Sequence, residues 1–473
     1  MTDILYNLQD LKEALKNDIV FIDESFNFAI TSVVFDNREV KGQSLFVARK
    51  GETNDGHNFI KNTLENTEAV ILAQYLPEGV EQNSRIILVK DTMEAFKNLA
   101  IFSRNRLKGN VIGITGSVGK TSTKDMLFKC FSAIGKSFCN QRSFNSYNGV
   151  LTTLTNTPKD TEFAIYEMGT SEAGEMEVLR NLVKPEVTII LNILSSHIAN
   201  FGTEENIATE KSNIFDKNTK CVVLNADNKM FEFIKNIADQ KGVKNVKTFS
   251  KDNVSNVKLD SYKLENDKAN IEYIVDGAKY NCQMNNLDYN IAFNFLAVLS
   301  VASYLKVNIN KIIESASDYD TTRGRNNIEY IDREINGKQV HLTLINGSYN
   351  AVNPETFISG LRLMNSIFDK NKHNKKVCIW GDMRETGDKT EEFHLSLKQP
   401  LLDSKVDLLL TVGENMKLLN ESLGNEIKKI HFENIDDMIT GYKDYLEDRD
   451  FVFVKSSNGT RTYKLVDDLV SGK

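Results

Sequence analysis

The chain has 473 residues, a length at which about three domains are expected. Hydrophobic residues make up 41% of the sequence and charged residues 26%, which is typical of globular proteins and excludes an intrinsically disordered chain. Because 58 Lys and Arg face 65 Asp and Glu, the net charge of -7 supplies no basic field for nucleic-acid phosphates, and we expect no nucleic-acid partner.

The predicted elements begin with a helix near the N-terminus, where leucine and isoleucine recur at helical spacing. These residues are Ile4, Leu5, Leu8, Leu11 and Leu15. Acidic residues stand where a secretory signal would be positively charged, so the segment is predicted to belong to the fold. Short apolar runs follow in SVVFD, SLFVAR and AVILA, separated by polar turns. This alternation predicts a small mixed α/β domain over residues 1–108.

Longer apolar runs that end in polar or glycine-bearing turns fill the rest of the chain. VIGITG, FAIYEMG, VTIILN and CVVLNAD predict a mostly parallel, doubly wound sheet in a central domain over residues 109–318. HLTLINGS, VCIWGDM, DLLLTVG and FVFVKSS predict a Rossmann-like C-terminal domain over residues 319–473. The apolar stretch from Phe295 to Leu305 is about half of the ~20 residues that cross a bilayer, so we expect a core helix and no membrane span. The expected fold class is therefore α/β with three domains.

Five cysteines are too few and too scattered for a disulfide framework or a zinc site of paired cysteines. They are Cys130, Cys139, Cys221, Cys282 and Cys378. We predict that all five are reduced, buried thiols of a cytosolic protein.

The strongest single motif is TGSVGKTS, which follows a β-branched run and precedes a predicted helix. Gly116 and Gly119 allow backbone N–H groups to surround phosphate oxygens, and the helix N-terminus adds partial positive charge. Lys120 would neutralise the β- and γ-phosphates, the Thr121 hydroxyl would bind Mg²⁺, and Ser122 is expected to cap the helix. An ordinary glycine turn is the competing interpretation, but Gly-Lys-Thr between a strand and a helix favours ATP binding.

Three further residues are candidates for a metal site beside this loop. Glu167 ends the apolar run FAIYE, where a carboxylate is well placed to bind Mg²⁺. His197 follows the run VTIILN; taken alone, a histidine there is more often structural than catalytic. Lys211, in IATEKSNIF, is by itself most simply a solvated lysine on a helix.

A series of motifs in fixed order extends the argument from single residues to nearly the whole chain. The phosphate loop has the short form T-G-x-x-G-K-T, with Ile114 where the general pattern has glycine. The other segments are FDNREVKGQSLFVARKGETNDGHNFI, SFNSYNGVLTTL, EMGTSEAGEMEVL, NILSSHIANFGTEENIATEKSNIF, VVLNAD, SYNAVNPETF, GDMRETG and VKSSNGTR. In sequence and order they resemble the Mur ligase family.

The resemblance implies an ATP-dependent amide ligase of peptidoglycan precursor synthesis. It implies that D-alanyl-D-alanine is added to UDP-N-acetylmuramoyl-tripeptide through an acyl phosphate, in the cytoplasm and by a monomer. Residues 1–108 would bind the uridine nucleotide, residues 109–318 ATP, and residues 319–473 the amine. The sequence leaves open whether the third residue of the tripeptide is diaminopimelate or lysine, and whether the chain self-associates.

The resemblance also implies roles for individual residues. The catalytic residues would be Lys120, Glu167, His197, Lys211 and Arg325. The nucleotide would be bound by Gly116, Ser117, Val118, Gly119, Lys120, Thr121, Ser122, Asn294 and Arg325. The other substrates would be bound by Asn37, Arg38, Lys50, Gly51, Asn145, Tyr349 and Asn350. Two Mg²⁺ ions would be held by Thr121, Glu167, His197 and Lys211.

In the family, the lysine that matches Lys211 reacts with CO₂ to form a carbamate, which turns a cation into an anionic metal ligand. The sequence does not decide whether Lys211 carries this modification. His197 would orient or bind the metal and would not abstract a proton.

The sequence departs from the family pattern close to the expected nucleotide and amine sites. Asn346 and Gly347 replace a pair of aspartates, and Val352 is inserted before Asn353 and Pro354. Two alternatives therefore remain open. The chain could be another Mur-type ligase, such as a diaminopimelate- or lysine-adding enzyme or a folylpolyglutamate synthetase. It could also be a nucleotide-binding scaffold of wall synthesis that has lost its activity.

Overall fold

Three sheets follow one another along the chain in the computed structural model, which describes residues 4–51 and 54–472. The first sheet has the strand order β1-β5-β4-β3-β2 and is parallel except for the edge strand β1. Its strands are β1 (Ile19–Phe21), β2 (Ser32–Val34), β3 (Ser44–Val47), β4 (Val70–Ala73) and β5 (Ile86–Val89). Its helices are α1 (Leu8–Leu15), α2 (Ile60–Asn66) and α3 (Thr92–Arg106).

The N-terminal helix is shorter than the apolar spacing predicts, because it begins at Leu8. Asn7 is its N-cap: the side chain of Asn7 accepts from the backbone N–H of Asp10, and the Asp10 carboxylate accepts from the N–H of Asn7. This reciprocal capping ends the helix on its N-terminal side. Leu5 therefore lies in an extended segment that donates its N–H to the Ile30 carbonyl oxygen.

The second sheet has the order β14-β13-β12-β11-β10-β9-β6-β8-β7. Strands β6 to β11 pair in parallel, and β12 to β14 add an antiparallel meander at one edge. The strands are β6 (Asn110–Thr115), β7 (Ser137–Cys139), β8 (Phe163–Glu167), β9 (Val187–Ile190), β10 (Cys221–Asn225), β11 (Val246–Ser250), β12 (Val257–Glu265), β13 (Lys268–Val275) and β14 (Ala278–Met284). The helices are α4 (Lys120–Ser132), α5 (Tyr147–Asn156), α6 (Glu175–Val183), α7 (Ile198–Phe201), α8 (Glu204–Lys211), α9 (Phe231–Gln240), α10 (Tyr289–Leu305) and α11 (Ile309–Ala316).

Both faces of this second sheet are covered, as its continuous apolar strands predict. Val111 of β6 packs into one hydrophobic core with residues of α5 and α6, whereas Ile112 and Ile114 pack into another with residues of α4, α10 and α11. Alternate side chains of one strand thus fill the cores on opposite faces. The stretch from Phe295 to Leu305 lies in α10, and its Phe295 is fully buried, so the predicted core helix is confirmed.

The third sheet has the order β15-β16-β20-β17-β18-β19 and is parallel except for β15. Its strands are β15 (Asn327–Ile335), β16 (Lys338–Gly347), β17 (Lys376–Gly381), β18 (Leu408–Val412), β19 (Lys428–Phe432) and β20 (Phe451–Lys455). Its helices are α12 (Glu355–Ile367), α13 (Thr390–Leu395), α14 (Lys398–Asp403), α15 (Glu414–Ser422), α16 (Ile435–Gly441) and α17 (Tyr463–Ser471). The predicted α/β fold class is confirmed, while the domain limits at residues 108 and 318 stay predictions.

The cysteines carry no disulfide, because all five are free thiols. Four are buried, but Cys139 is only half-buried, so the prediction of five buried thiols is wrong for that residue. Cys139 ends the short edge strand β7, where one side of the strand has no neighbour to cover it. Within the described ranges, the helices all fall short of the length and apolarity that a bilayer crossing requires.

Candidate active site

The phosphate loop connects the carboxyl end of β6 to α4, as its sequence predicts. Gly119 adopts φ of 84°, a left-handed conformation that disfavours side chains, and a Cβ there would lie 3.0 Å from Nδ2 of Asn294. The Lys120 ammonium folds back to donate to the carbonyl oxygens of Gly116, at 2.7 Å, and Ser117, at 3.3 Å. Burial lowers the pKa of Lys120, and Glu167 partly opposes that shift. The N-cap of α4 is Gly119, and Ser122 lies inside the helix, so the expected Ser122 cap is wrong.

Glu167 lies at the end of β8, beside the start of α4, because β6 and β8 are neighbouring parallel strands. Its Oε1 accepts from the Thr121 hydroxyl at 3.1 Å and from Asn145 Nδ2 at 2.7 Å. The side chain is buried, yet no described residue hydrogen-bonds Oε2. Asn140 fixes the strand end, because its Oδ1 accepts from the N–H of Glu167. A buried carboxylate oxygen without a donor is suited to a cation.

Lys211 ends α8 and is 2% exposed, so the interpretation as a solvated helix lysine is wrong. Its ammonium makes no hydrogen bond or ion pair with the residues that the structure describes. Burial, reinforced by the charge of Lys120, lowers the pKa of Lys211 to about 7, and Glu210 opposes the shift. At neutral pH a substantial fraction of this lysine is therefore an uncharged amine.

His197 precedes α7 and has φ of 52°, in the left-handed region that a bulky residue rarely adopts. Its Nδ1 lies 2.6 Å from Oε2 of Glu385, a residue of the loop after β17 in the third sheet. The two atoms are at ion-pair distance, although their alignment is not that of a hydrogen bond. Burial lowers the pKa of His197, Glu385 opposes the shift, and Lys120 and Lys211 add to it.

Three segments that flank strands of the third sheet line one cavity together with the phosphate loop. Arg325 donates from Nη2 to the Ser143 hydroxyl at 2.9 Å, and its guanidinium lies 5.7 Å from the centre of the Tyr349 ring. Tyr349 and Asn350 follow β16 and line the same cavity as Arg325. Arg384 and Glu385, from the loop after β17, also line this cavity.

The cavity between these segments has a volume of about 500 Å³. It brings together most of the residues predicted for the site: Ser117, Val118, Gly119, Lys120, Thr121, Asn145, Glu167, His197, Arg325, Tyr349 and Asn350. Lys211 is not among the residues that line the cavity, but its charge adds to the lowering of the His197 pKa. A second cavity, of about 640 Å³, continues from Gly119 past Ser122 and Asn294 to Lys455.

Four predicted substrate residues lie elsewhere, at the carboxyl ends of β2 and β3 in the first sheet. Asn37 and Arg38 follow β2, and Lys50 and Gly51 follow β3, so parallel pairing places both segments at one edge. The side chain of Arg38 is 84% exposed and pairs with Asp36 at 2.6 Å. None of the four lines either cavity. They form a separate edge that faces solvent.

Some residues of the site were missed by sequence reasoning. Glu385 and Arg384 lie in GDMRETG, which resembles a family motif but predicts no role for either residue, and the sequence predicts no role for Asn140 or Lys455. Their position after strands was the available signal, because side chains at the carboxyl ends of parallel strands meet at one edge. Which sheet edges face each other is a property of the domain arrangement, and no local pattern encodes it.

Comparisons with known proteins agree with this architecture. The family model of the Mur ligase middle domain matches residues 114–302, and that of the Mur ligase glutamate ligase domain matches residues 334–458. A UDP-N-acetylmuramoyl-tripeptide–D-alanyl-D-alanine ligase of Rickettsia prowazekii is 28% identical over 466 residues, which are 98% of this chain and 99% of the relative. The enzyme of the same name from Bacillus subtilis is 27% identical and covers 93% of both chains.

Solved structures share the fold over nearly the full length. MurF from Acinetobacter baumannii superposes with a TM-score of 0.82 at 23% identity and covers 98% of both chains. MurF ligase from Thermotoga maritima, solved in complex with ADP, has a TM-score of 0.74 at 24% identity and covers 92% of this chain and 96% of its own. Since the two family models together match about two thirds of the sequence, the chain belongs to the Mur ligase family.

Proposed function

We propose that this chain is an ATP-dependent amide ligase that joins D-alanyl-D-alanine to UDP-N-acetylmuramoyl-tripeptide, as a monomer in the cytoplasm. The observation that carries the proposal is the single cavity on which Lys120, Thr121, Glu167, His197 and Arg325 converge. Relatives that match nearly the whole chain bear the name of this ligase. The five unpaired thiols support a reducing compartment.

The reaction needs ATP because a carboxylate has no good leaving group at neutral pH. In the first step, an oxygen of the tripeptide carboxylate attacks the γ-phosphorus, the bond to ADP breaks, and an acyl phosphate forms. In the second step, the dipeptide amine attacks the acyl carbon and loses a proton as phosphate departs. Lys120 and Arg325 both line the cavity, where they would bind the negative charge that moves between these groups.

The residues beside the loop fit a magnesium ion. Thr121 and Glu167 present a hydroxyl and a carboxylate 3.1 Å apart, and Oε2 of Glu167 has no donor among the described residues. Mg²⁺ is commonly held by one or two carboxylates and substrate phosphates, so a cage of protein ligands is not required. Accordingly, the described residues contain no group of three or more His, Cys, Asp and Glu side chains that could hold a metal by themselves. Bound there, the ion would supply positive charge to the phosphates.

Lys211 is proposed to carry a carbamate that serves a second magnesium ion. Only an uncharged amine attacks CO₂, and burial keeps a substantial fraction of Lys211 in that form near neutral pH. The absence of any partner among the described residues leaves the Lys211 nitrogen free to react. The carbamate would place negative charge near Lys120, whose positive charge now adds to the lowering of the Lys211 pKa.

The remaining residues are assigned to substrates by position. Asn294 touches the phosphate loop at Gly119 and would contact adenine in the second cavity. Tyr349 and Asn350 line the first cavity and would bind the amine. Asn145 lines the same cavity and would also bind substrate, while its side chain donates to Glu167. The edge formed by Asn37, Arg38, Lys50 and Gly51 would bind the uridine nucleotide.

Direct assay separates this proposal from its alternatives. Purified protein with ATP, UDP-N-acetylmuramoyl-tripeptide and D-alanyl-D-alanine is expected to release phosphate and form the pentapeptide, measured by mass spectrometry. Parallel reactions with diaminopimelate, lysine or glutamate as the amine test the other ligases, and tripeptides ending in diaminopimelate or lysine identify the acceptor. No product with any amine, despite bound nucleotide, would favour the inactive scaffold.

A further inference from the structure

Lys455 lies at the carboxyl end of an inner strand of the third sheet. It is the last residue of β20, which lies between β16 and β17 and is parallel to both. Ligands of open α/β sheets bind at the carboxyl ends of such inner strands. Lys455 is 4% exposed and lines the second cavity together with Gly119 and Asn294.

The ammonium of Lys455 has no partner. It makes no hydrogen bond or ion pair with any residue in the described part of the chain. Burial lowers the pKa of Lys455 to about 7, Arg325 adds to the shift, and Asp288 opposes it. Asp288 is itself engaged, because its Oδ1 accepts from the backbone N–H and the side-chain amide of Asn290, each at 2.8 Å. A buried amine without a partner is costly, which is a reason to look for an absent ligand.

The neighbouring strand explains why no carboxylate serves Lys455. Gly347 is the register partner of Lys455 on β16, and a Cβ at Gly347 would lie 2.8 Å from Cδ of Lys455. The stem of the lysine therefore occupies space that a side chain at position 347 would need. The preceding residue, Asn346, is buried and donates to Oε1 of Glu329 at 2.9 Å. Neither Asn346 nor Gly347 supplies a negative charge to Lys455.

Lys455 is also one of three cations along the junction of the two cavities. Arg325 lines both cavities, Lys120 lines the first and Lys455 lines the second, and the positive charge of Arg325 lowers the pKa of both lysines. Glu167 and Asp288 offset this repulsion only in part. Three basic side chains along two adjoining cavities are complementary to an extended polyanion.

We propose that Lys455 binds the phosphate chain of the nucleotide, so that Arg325 and Lys455 hold it from the third domain while Lys120 holds it from the central domain. This inference rests on the proposed function, since it assumes that a nucleoside di- or triphosphate occupies the phosphate loop. It adds a residue whose unpaired state in this chain follows from Gly347.

The test compares ADP and adenosine binding by isothermal titration calorimetry. The variants are Lys455→Met, which removes the charge, Lys455→Arg, which keeps it, and Lys464→Met as a control at an exposed position of α17. We expect Lys455→Met to weaken ADP binding about tenfold or more, with adenosine affinity unchanged, whereas the other two variants stay within about threefold of the parent. The Tm of ligand-free Lys455→Met should not fall, since an unpaired buried amine is lost.

Equal ADP affinity of the parent and Lys455→Met would overturn the inference, and so would an equal loss for adenosine, because the contact would then not be with phosphate. A parent protein that binds no ADP would contradict the proposed function itself. Should Lys455→Met fail to fold, labelling of the parent with an amine-reactive acetylating reagent decides the question. ADP, but not adenosine, should protect Lys455 in peptide mass spectra, and labelling that ADP does not reduce would reject the contact.

Discussion

Two facing sheet edges form the candidate active site, and they are built differently. At the central edge, Lys120 and Thr121 are consecutive residues of one turn, and Glu167 ends the adjacent strand. At the third-domain edge, Arg325, Glu385 and Lys455 come from three segments that are far apart in sequence. The first edge is fixed by local backbone geometry and strand pairing. The second contributes only while the third domain rests against the central one.

The difference suggests a division of labour. Groups of the central edge would hold the nucleotide whatever the position of the third domain. Groups of the third domain would act only when that domain closes on the central one. Contacts already join the two edges, because Arg325 donates to Ser143 and α7 packs on the turn Gly387–Lys389. Substitutions at the central edge should therefore affect turnover most, and those at the third-domain edge should affect it less.

The largest effect is expected from Lys120→Ala at the central edge. Loss of the ammonium removes the charge that would lie on the transferring phosphoryl group, so kcat should fall by about 10³-fold or more. Phosphate release under saturating substrates measures it. Lys129→Ala, on the same helix but paired with Asp318 away from the cavity, is the matched control. If Lys120→Ala keeps its turnover, the assignment of phosphate binding to the central edge is wrong.

Lys211→Ala should lower turnover by about 10²-fold, because the proposed anionic metal ligand is lost. Small carboxylic acids such as formate or acetate should restore part of the activity by supplying an anionic oxygen in the vacated space. The exposed Lys217→Ala serves as the control variant. A fully active Lys211→Ala enzyme would remove the carbamate from the mechanism.

Glu385→Gln tests the third-domain edge, with a smaller loss of about tenfold in kcat/KM. The carboxylate lies 2.6 Å from His197 and opposes the lowering of its pKa, so the amide should leave the imidazole less well oriented. Steady-state rates are compared with those of Glu391→Gln, an exposed residue of α13. A loss as large as that of Lys120→Ala would contradict the division between the two edges.

The smallest expected effect is the change in molecular shape when the third domain closes on the central domain. If the third-domain edge acts only when it is docked, the radius of gyration from X-ray scattering should decrease by a few ångströms or less when a non-hydrolysable ATP analogue and the uridine substrate are added together. Either ligand alone should have a weaker effect. Identical profiles with and without both ligands would show that the two edges stay docked.

The fold could be predicted to a large extent because its signals are local. Continuous apolar runs such as FAIYE form buried parallel strands, and TGSVGKTS determines its own turn through two glycines. Two of the predictions that the structure contradicts also concern local features. The capping residue Asn7, and not the spacing of apolar residues, sets where α1 begins. Cys139 is only half-buried because it lies on the edge strand β7.

The sequence by itself determined the phosphate loop, the strand-helix order and the family, since each depends on residues close together or on motifs in fixed order. Only the tertiary structure decided which distant side chains meet: Lys211 became buried, Glu385 came to face His197, and Lys455 lost any carboxylate partner. The physical reason is that burial and the packing of one sheet edge against another set the pKa of a lysine and the partners available to it, and neither property is contained in the residue's local pattern.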